Sequence, residues 1–108
     1  MYNRPTYLEI NLDALKHNYE YLKSISNKDV FAVVKANAYG HGMIGISKFL
    51  DTLNCSYICV SSLDEAMRLR NKGVISPLLI LGYVKLSQQV LNTVSKNQIT
   101  LSAISIEW

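Results

Sequence analysis

The spacing of apolar residues along the chain switches repeatedly between a period of two and a period near 3.6, the signature of strands alternating with helices. Thr6, Leu8, Ile10 and Leu12 alternate with polar neighbours and predict a half-buried first strand. Asn11 or Asp13 is placed to cap a helix whose apolar side is Leu15, Tyr19 and Leu22, with Ile25 near its end. Ser26-Asn27-Lys28-Asp29 has turn chemistry. Val30 to Val34 is an uninterrupted apolar run rich in β-branched residues, the composition of a strand buried on both faces of a parallel sheet.

The alternation then recurs. Ile46, Phe49, Leu50 and Leu53 predict a helix, and Tyr57 to Val60 a strand. Ser62-Leu63-Asp64-Glu65 has the form of a capping box, which opens a helix through Ala66, Met67 and Leu69 to Lys72, with Gly73 placed to stop it. Pro77 introduces a buried strand over Leu78 to Leu81, closed by Gly82. Val90, Leu91 and Val94 predict a further helix, Ile99 to Ala103 a further strand, and Ser105 to Trp108 the start of another helix. Counted from Val30 the order is βαβαβαβ, which implies α/β architecture with parallel strands covered by helices. An open doubly-wound sheet and part of a (β/α)8 TIM-type barrel both fit. No Gly-rich dinucleotide fingerprint follows any strand, which weakens the first option. A whole barrel takes ~250 residues, about 31 per unit, so 108 residues correspond to the first three to four βα units.

Composition narrows the function. An apolar share of 49% with 18% charged residues excludes a disordered chain, and no apolar run is long enough to span a bilayer. The net charge of +3 is spread along the chain, so no nucleic-acid footprint is expected. The opening MYNRPTYLEINL has no basic start followed by an apolar core, and a cytoplasmic location is expected. Cys55 and Cys59, spaced C-x3-C within an extended apolar segment, lie too far apart to bridge. They read as two small buried hydrophobes in a chain with no metal site.

The chemistry concentrates in Val33-Val34-Lys35-Ala36-Asn37-Ala38-Tyr39-Gly40-His41-Gly42. A lysine at the C-terminal end of a buried strand is unusual, because an unpartnered ammonium is costly to bury. Desolvation favours the neutral, nucleophilic amine, and active sites of parallel α/β folds assemble at the C-terminal strand ends. A lysine that has already left the sheet for solvent fits the position equally well. The loop that follows places Tyr39 and the N–H groups of the next helix where they can hold a phosphate. For His41, a loop-capping or solvated role suffices.

This ten-residue stretch closely resembles the pyridoxal-phosphate attachment segment of alanine racemases. LEINLDALKHNYEYLK resembles that family's opening strand and helix, SSLDEAMRLRNKG its second unit and PLLILGYV its third strand. Other barrel families with a strand-end lysine, the single-domain pyridoxal-phosphate-binding proteins and the basic-amino-acid decarboxylases, lack the Asn-Ala-Tyr-Gly-His-Gly continuation.

The resemblance implies an isomerase that interconverts L-alanine and D-alanine with pyridoxal 5'-phosphate and supplies D-alanine for peptidoglycan. By the same resemblance Lys35 forms the Schiff base with the cofactor and is one of two bases, and Tyr39 binds the cofactor phosphate. Val33 and Leu81 match apolar positions near the cofactor. The second base is implied to be a tyrosine of a C-terminal β domain, contributed across a homodimer, and an arginine further along the barrel is implied at the pyridine nitrogen. Arg4, Arg68 and Arg70 lie in the wrong segments for that arginine, the last two on a helix expected to be solvated. Residues 1–108 are thus expected to be the N-terminal part of a racemase barrel without its C-terminal domain, and inactive alone. A non-catalytic cofactor-binding barrel protein and a truncated gene product without independent function are the alternatives.

Overall fold

The computed structural model describes residues 8–106. It comprises α1 (Leu12–Ser26), β1 (Phe31–Val33), α2 (Lys35–Tyr39), α3 (Met43–Thr52), β2 (Tyr57–Val60), α4 (Leu63–Asn71), β3 (Leu78–Ile80), α5 (Gln88–Lys96) and β4 (Ile99–Leu101). All pairings are parallel and the spatial order is β1-β2-β3-β4, each strand laid beside its predecessor. A doubly-wound sheet reverses its strand order at a switch point. This sheet never reverses, so the barrel segment is the architecture adopted.

Register explains how the sheet divides its two faces. Ala32, Ile58, Leu78 and Ile99 are aligned across the four strands, as are Val33, Cys59, Leu79 and Thr100. The first row faces the helices, and Ile58, Leu78, Val60 and Ile80 are fully buried there. Met43, Ile46 and Leu50 of α3 and Ala66 and Leu69 of α4 supply the other side of that core. Each Leu or Ile so buried contributes roughly 1.5–3 kcal/mol. On the opposite face of edge strand β1, Phe31 is 51% and Val33 41% exposed, whereas Cys59 on the neighbouring strand is buried. The expectation that Val30 to Val34 is buried on both faces is therefore corrected. Its apolar character is real, but the helices cover one side only.

Two local expectations also change. Thr6 lies outside the described residues, and residues 8–11 form no strand. Alternation selects a face but does not supply a pairing partner. Ile10 packs on the core instead, and Asn11 caps α1 through its side-chain oxygen (3.0 Å from the Ala14 nitrogen), so Leu12 is already helical. Ser105 and Ile106 are not helical, while Glu107 and Trp108 lie outside the described residues. The remaining strands and helices stand where the pattern put them, except that α2 falls where a loop is expected, β1 is one residue shorter at each end, and β3 and β4 end one and two residues early.

The entry ends of β3 and β4 are tied by two charged residues. The Asp51 carboxylate accepts from the Ile75 and Ser76 nitrogens (2.8 and 2.9 Å) and from the Ser76 hydroxyl. Arg70 donates to the carbonyls of Asn97, Val74, Ser76 and Gln98 at 2.8–3.2 Å. Arg68 is exposed as expected, but Arg70 is half-buried, and Arg4 lies outside the described residues. Cys55 and Cys59 are buried free thiols, and burial, with Cys55 alongside, pushes the Cys59 thiol up. Among the described residues no helix is long and apolar enough to cross a membrane.

Candidate active site

The C-terminal end of β1 delivers Lys35 directly into a turn of the wrong hand. Ala36, Asn37, Ala38 and Tyr39 all have φ between 53° and 55°. Side chains other than glycine resist this region because Cβ approaches the carbonyl oxygen, at roughly 1–2 kcal/mol per residue. Four in succession persist only where the surroundings hold them. The Ala38 nitrogen donates to the Val34 carbonyl (2.8 Å), and the Asn37 carbonyl accepts from Gly40 and Gly42 (3.1 and 3.0 Å). Gly40 and Gly42, both at φ 93°, complete a path that returns the chain to α3. The Asn37 side chain accepts from the Met43 nitrogen at 2.8 Å, so the first N–H of α3 is already used rather than offered to an anion.

A second support comes from across the sheet. Glu65 Oε2 accepts from the Ala36 nitrogen at 3.0 Å, while Oε1 accepts from the Ser61 nitrogen and hydroxyl at 2.8 and 2.7 Å. Burial pushes the Glu65 carboxyl up, but these donors and the Arg68 charge outweigh it and hold the carboxyl below its usual value. The capping box is thus half of what its sequence promises. Ser62 does cap α4 through the Glu65 nitrogen (3.2 Å), but the Glu65 carboxylate turns away to Ser61 and Ala36.

Of the expected site residues, Lys35 is half-buried and makes no ion pair among the described residues. Tyr39, four residues on, is 63% exposed. Val33 lies on the open face of β1, while Leu81, just past β3 and 44% exposed, lies two strands away. Lys35, Tyr39 and Val33 therefore share one strand end, and Leu81 stands apart from them. His41 Nδ1 sits 2.9 Å from the Ala38 carbonyl, which matches a loop-closing role. A cleft of about 410 Å³ beside the turn takes in Val33, Ala38 and His41 but not Lys35, Tyr39 or Leu81. Among the described residues no group of three His, Cys, Asp or Glu side chains is placed to hold a metal. The left-handed turn has no sequence signal at Ala36 or Ala38, whereas the two glycines do announce positive φ nearby. Glu65 is visible in the sequence, but only as a helix cap.

The family model for the alanine racemase N-terminal domain matches residues 10–108. The chain belongs to the alanine racemase family. It is 44% identical over 113 aligned positions to the alanine racemase of Streptococcus agalactiae, covering 99% of this chain and 29% of that protein. It is 39% identical to alanine racemase 1 of Caldanaerobacter subterraneus, covering 97% of this chain and 27% of the relative. Among solved structures, the Bacillus anthracis alanine racemase with bound L-Ala-P superposes with a TM-score of 0.83 at 34% identity, over all of this chain and 28% of that one. The Clostridium difficile alanine racemase in complex with cycloserine gives 0.83 at 35% identity, over 99% of this chain and 28% of that one. The chain thus spans less than a third of the length of the curated alanine racemases it matches.

Proposed function

We propose that the chain is the lysine-bearing N-terminal part of a pyridoxal-phosphate-dependent enzyme that interconverts L-alanine and D-alanine. The observation that carries this reading is the placement of Lys35 just past the C-terminal end of the first barrel strand, immediately before the turn Ala36–Tyr39. The residues present fit the cofactor in three respects. Lys35 offers an amine that no carboxylate engages among the described residues, Tyr39 offers an accessible phenol, and Val33 and Leu81 offer apolar surface. The helix-terminus anion site is the poorer match, because Asn37 caps Met43.

When bound, pyridoxal phosphate supplies an electron-withdrawing ring that acidifies the α-proton of an attached amino acid. Lys35 Nζ would hold the cofactor and would take or return the substrate α-proton from one face. The Tyr39 hydroxyl would donate to the cofactor phosphate. Val33 and, from the end of β3, Leu81 would limit water near the ring. One Nζ reaches one face only, so racemisation calls for a second acid/base opposite it, assigned to the partner subunit of a homodimer. The arginine at the ring nitrogen is likewise assigned to chain outside these 108 residues. On this reading the protein works in the cytoplasm to supply D-alanine for peptidoglycan, and the 108 residues alone do not racemise alanine appreciably.

Borohydride reduction in the presence of pyridoxal phosphate, followed by peptide mapping, tests the reading. A pyridoxyl group on Lys35, absent from Lys35→Ala, is expected. Label spread evenly over the exposed lysines, or no label, would sink it. Alanine racemisation by the purified chain, lost in Lys35→Ala, would overturn the claim of inactivity alone.

A further inference from the structure

We propose that Glu65 is a positioning residue for Lys35: its carboxylate holds the peptide at which the chain leaves β1 and so fixes where the lysine amine stands. The proposal rests on the cofactor reading above for its consequence, and on geometry for its substance.

The Lys35–Ala36 peptide lies two residues past the end of β1 and opens a run of four consecutive left-handed residues. Such a run is held partly from within, by Asn37 and by the backbone bonds around Gly40 and Gly42. Among the described residues, the one side chain of another element that hydrogen-bonds to this turn is Glu65, through the Ala36 nitrogen at 3.0 Å. The same carboxylate takes the Ser61 nitrogen and hydroxyl, at the end of the adjacent strand β2. One anion therefore ties the exits of β1 and β2 to the first turn of α4. A glutamate needed only to cap α4 would reach back to the Ser62 nitrogen. Its departure from that position, while Ser62 still performs its own half of the cap, points to the strand exits as its task.

The chemistry of a glutamine at 65 makes the claim testable. Three donors converge on two carboxylate oxygens, and an amide in their place presents one acceptor and one donor group. Either Ala36 or Ser61 must lose its partner. The test compares the unmodified chain with Glu65→Gln, with Glu65→Asp (which keeps the charge but shortens its reach) and with Ser62→Ala, which weakens the start of α4 without touching the turn. Hydrogen exchange of the Ala36 amide is followed by NMR without cofactor, and the rate of borohydride-trappable pyridoxal phosphate addition to Lys35 is followed separately.

Both Glu65 variants are expected to speed Ala36 exchange by about tenfold or more, as loss of a bond to a charged acceptor implies. Addition at Lys35 should slow by about tenfold, the scale of a misplaced reactive group. Ser62→Ala should do neither. Unchanged Ala36 exchange in both Glu65 variants overturns the proposal, as does an equal effect from Ser62→Ala. Faster exchange with unchanged addition overturns it too, because the amine is then not being positioned. If Glu65→Gln loses protection throughout the chain, Glu65→Asp decides. If no protein takes up pyridoxal phosphate, the cofactor reading fails, and Ala36 exchange alone decides whether Glu65 holds the junction.

Discussion

Replacing Arg70 by methionine removes a guanidinium while keeping an unbranched stem on α4. Arg70 Nε donates to the Asn97 carbonyl at 2.8 Å, Nη1 to Val74 and Ser76 at 2.8 and 2.9 Å, and Nη2 to Gln98 at 3.2 Å. The first three bonds are partly buried, and the fourth is exposed and readily replaced by water. At a net ~1 kcal/mol for each partly buried bond, the change costs about 3 kcal/mol. That is a large part of the 5–15 kcal/mol that roughly bounds the stability of a domain. Arg70→Lys keeps the charge but offers a point donor in place of a planar fork, so it should recover only part of the loss. Arg68→Met, on the exposed side of the same helix, serves as the control and should stay within ~0.5 kcal/mol. Urea unfolding followed by far-ultraviolet circular dichroism measures all three. An Arg70→Met midpoint equal to that of Arg68→Met would refute the claim that the guanidinium ties the entries of β3 and β4.

A Cβ at Gly82 would overlap the Ser61 carbonyl oxygen, and both groups are backbone, so Gly82→Ala should cost about 1–3 kcal/mol in urea unfolding. An unchanged midpoint would contradict that close approach. Tyr39→Phe removes only an exposed hydroxyl, so the unfolding midpoint should hold while affinity for pyridoxal phosphate, titrated by absorbance, falls about tenfold. Equal affinity would remove Tyr39 from the phosphate site. Because the Glu65 carboxyl is held below its ordinary value of 4.5, the stability it contributes is present above that pH and is lost as pH falls through the folded value. The urea midpoint should therefore drop on acidification below about 4.5, and Glu65→Gln should flatten that part of the profile; parallel profiles would exclude the linkage.

The helices and sheet strands were legible because each carries its own local signal. Asn11 and Ser62 cap helices through their side chains, Gly73 follows α4 at positive φ, and the β-branched runs fall on β1 and β2. What the pattern missed depends on groups remote in sequence. Arg68 and Arg70 are two positions apart on one helix, so a sequence that marks both as solvated charge cannot know that the loops around Val74 and Asn97 bring carbonyls to one of them. Glu65 reads as a cap because the box motif is local, whereas Ala36, 29 residues earlier, is brought to it only by the pairing of β1 with β2. The strand expected near Ile10 is absent for the same reason: no neighbour pairs with it among the described residues, and of Leu8, Ile10 and Leu12 only Ile10 is partly buried.

The open face of the sheet connects these misses to the site. Phe31, Val33 and Leu81 are apolar at positions where the helices give no cover, and Val33 and Leu81 are the apolar positions assigned to the cofactor's surroundings. A surface strand facing water on one side ordinarily alternates apolar with polar residues. The Val30 to Val34 run keeps apolar residues on both sides, which fits a sheet whose second face is meant to be enclosed, as in a barrel segment. Lys35 follows the end of β1 by two residues and is half-buried. A cover over that face would take the Lys35 amine out of water. The exposure of Phe31, Val33 and Leu81 then has one cause: they stand on the face of the sheet turned away from the helices.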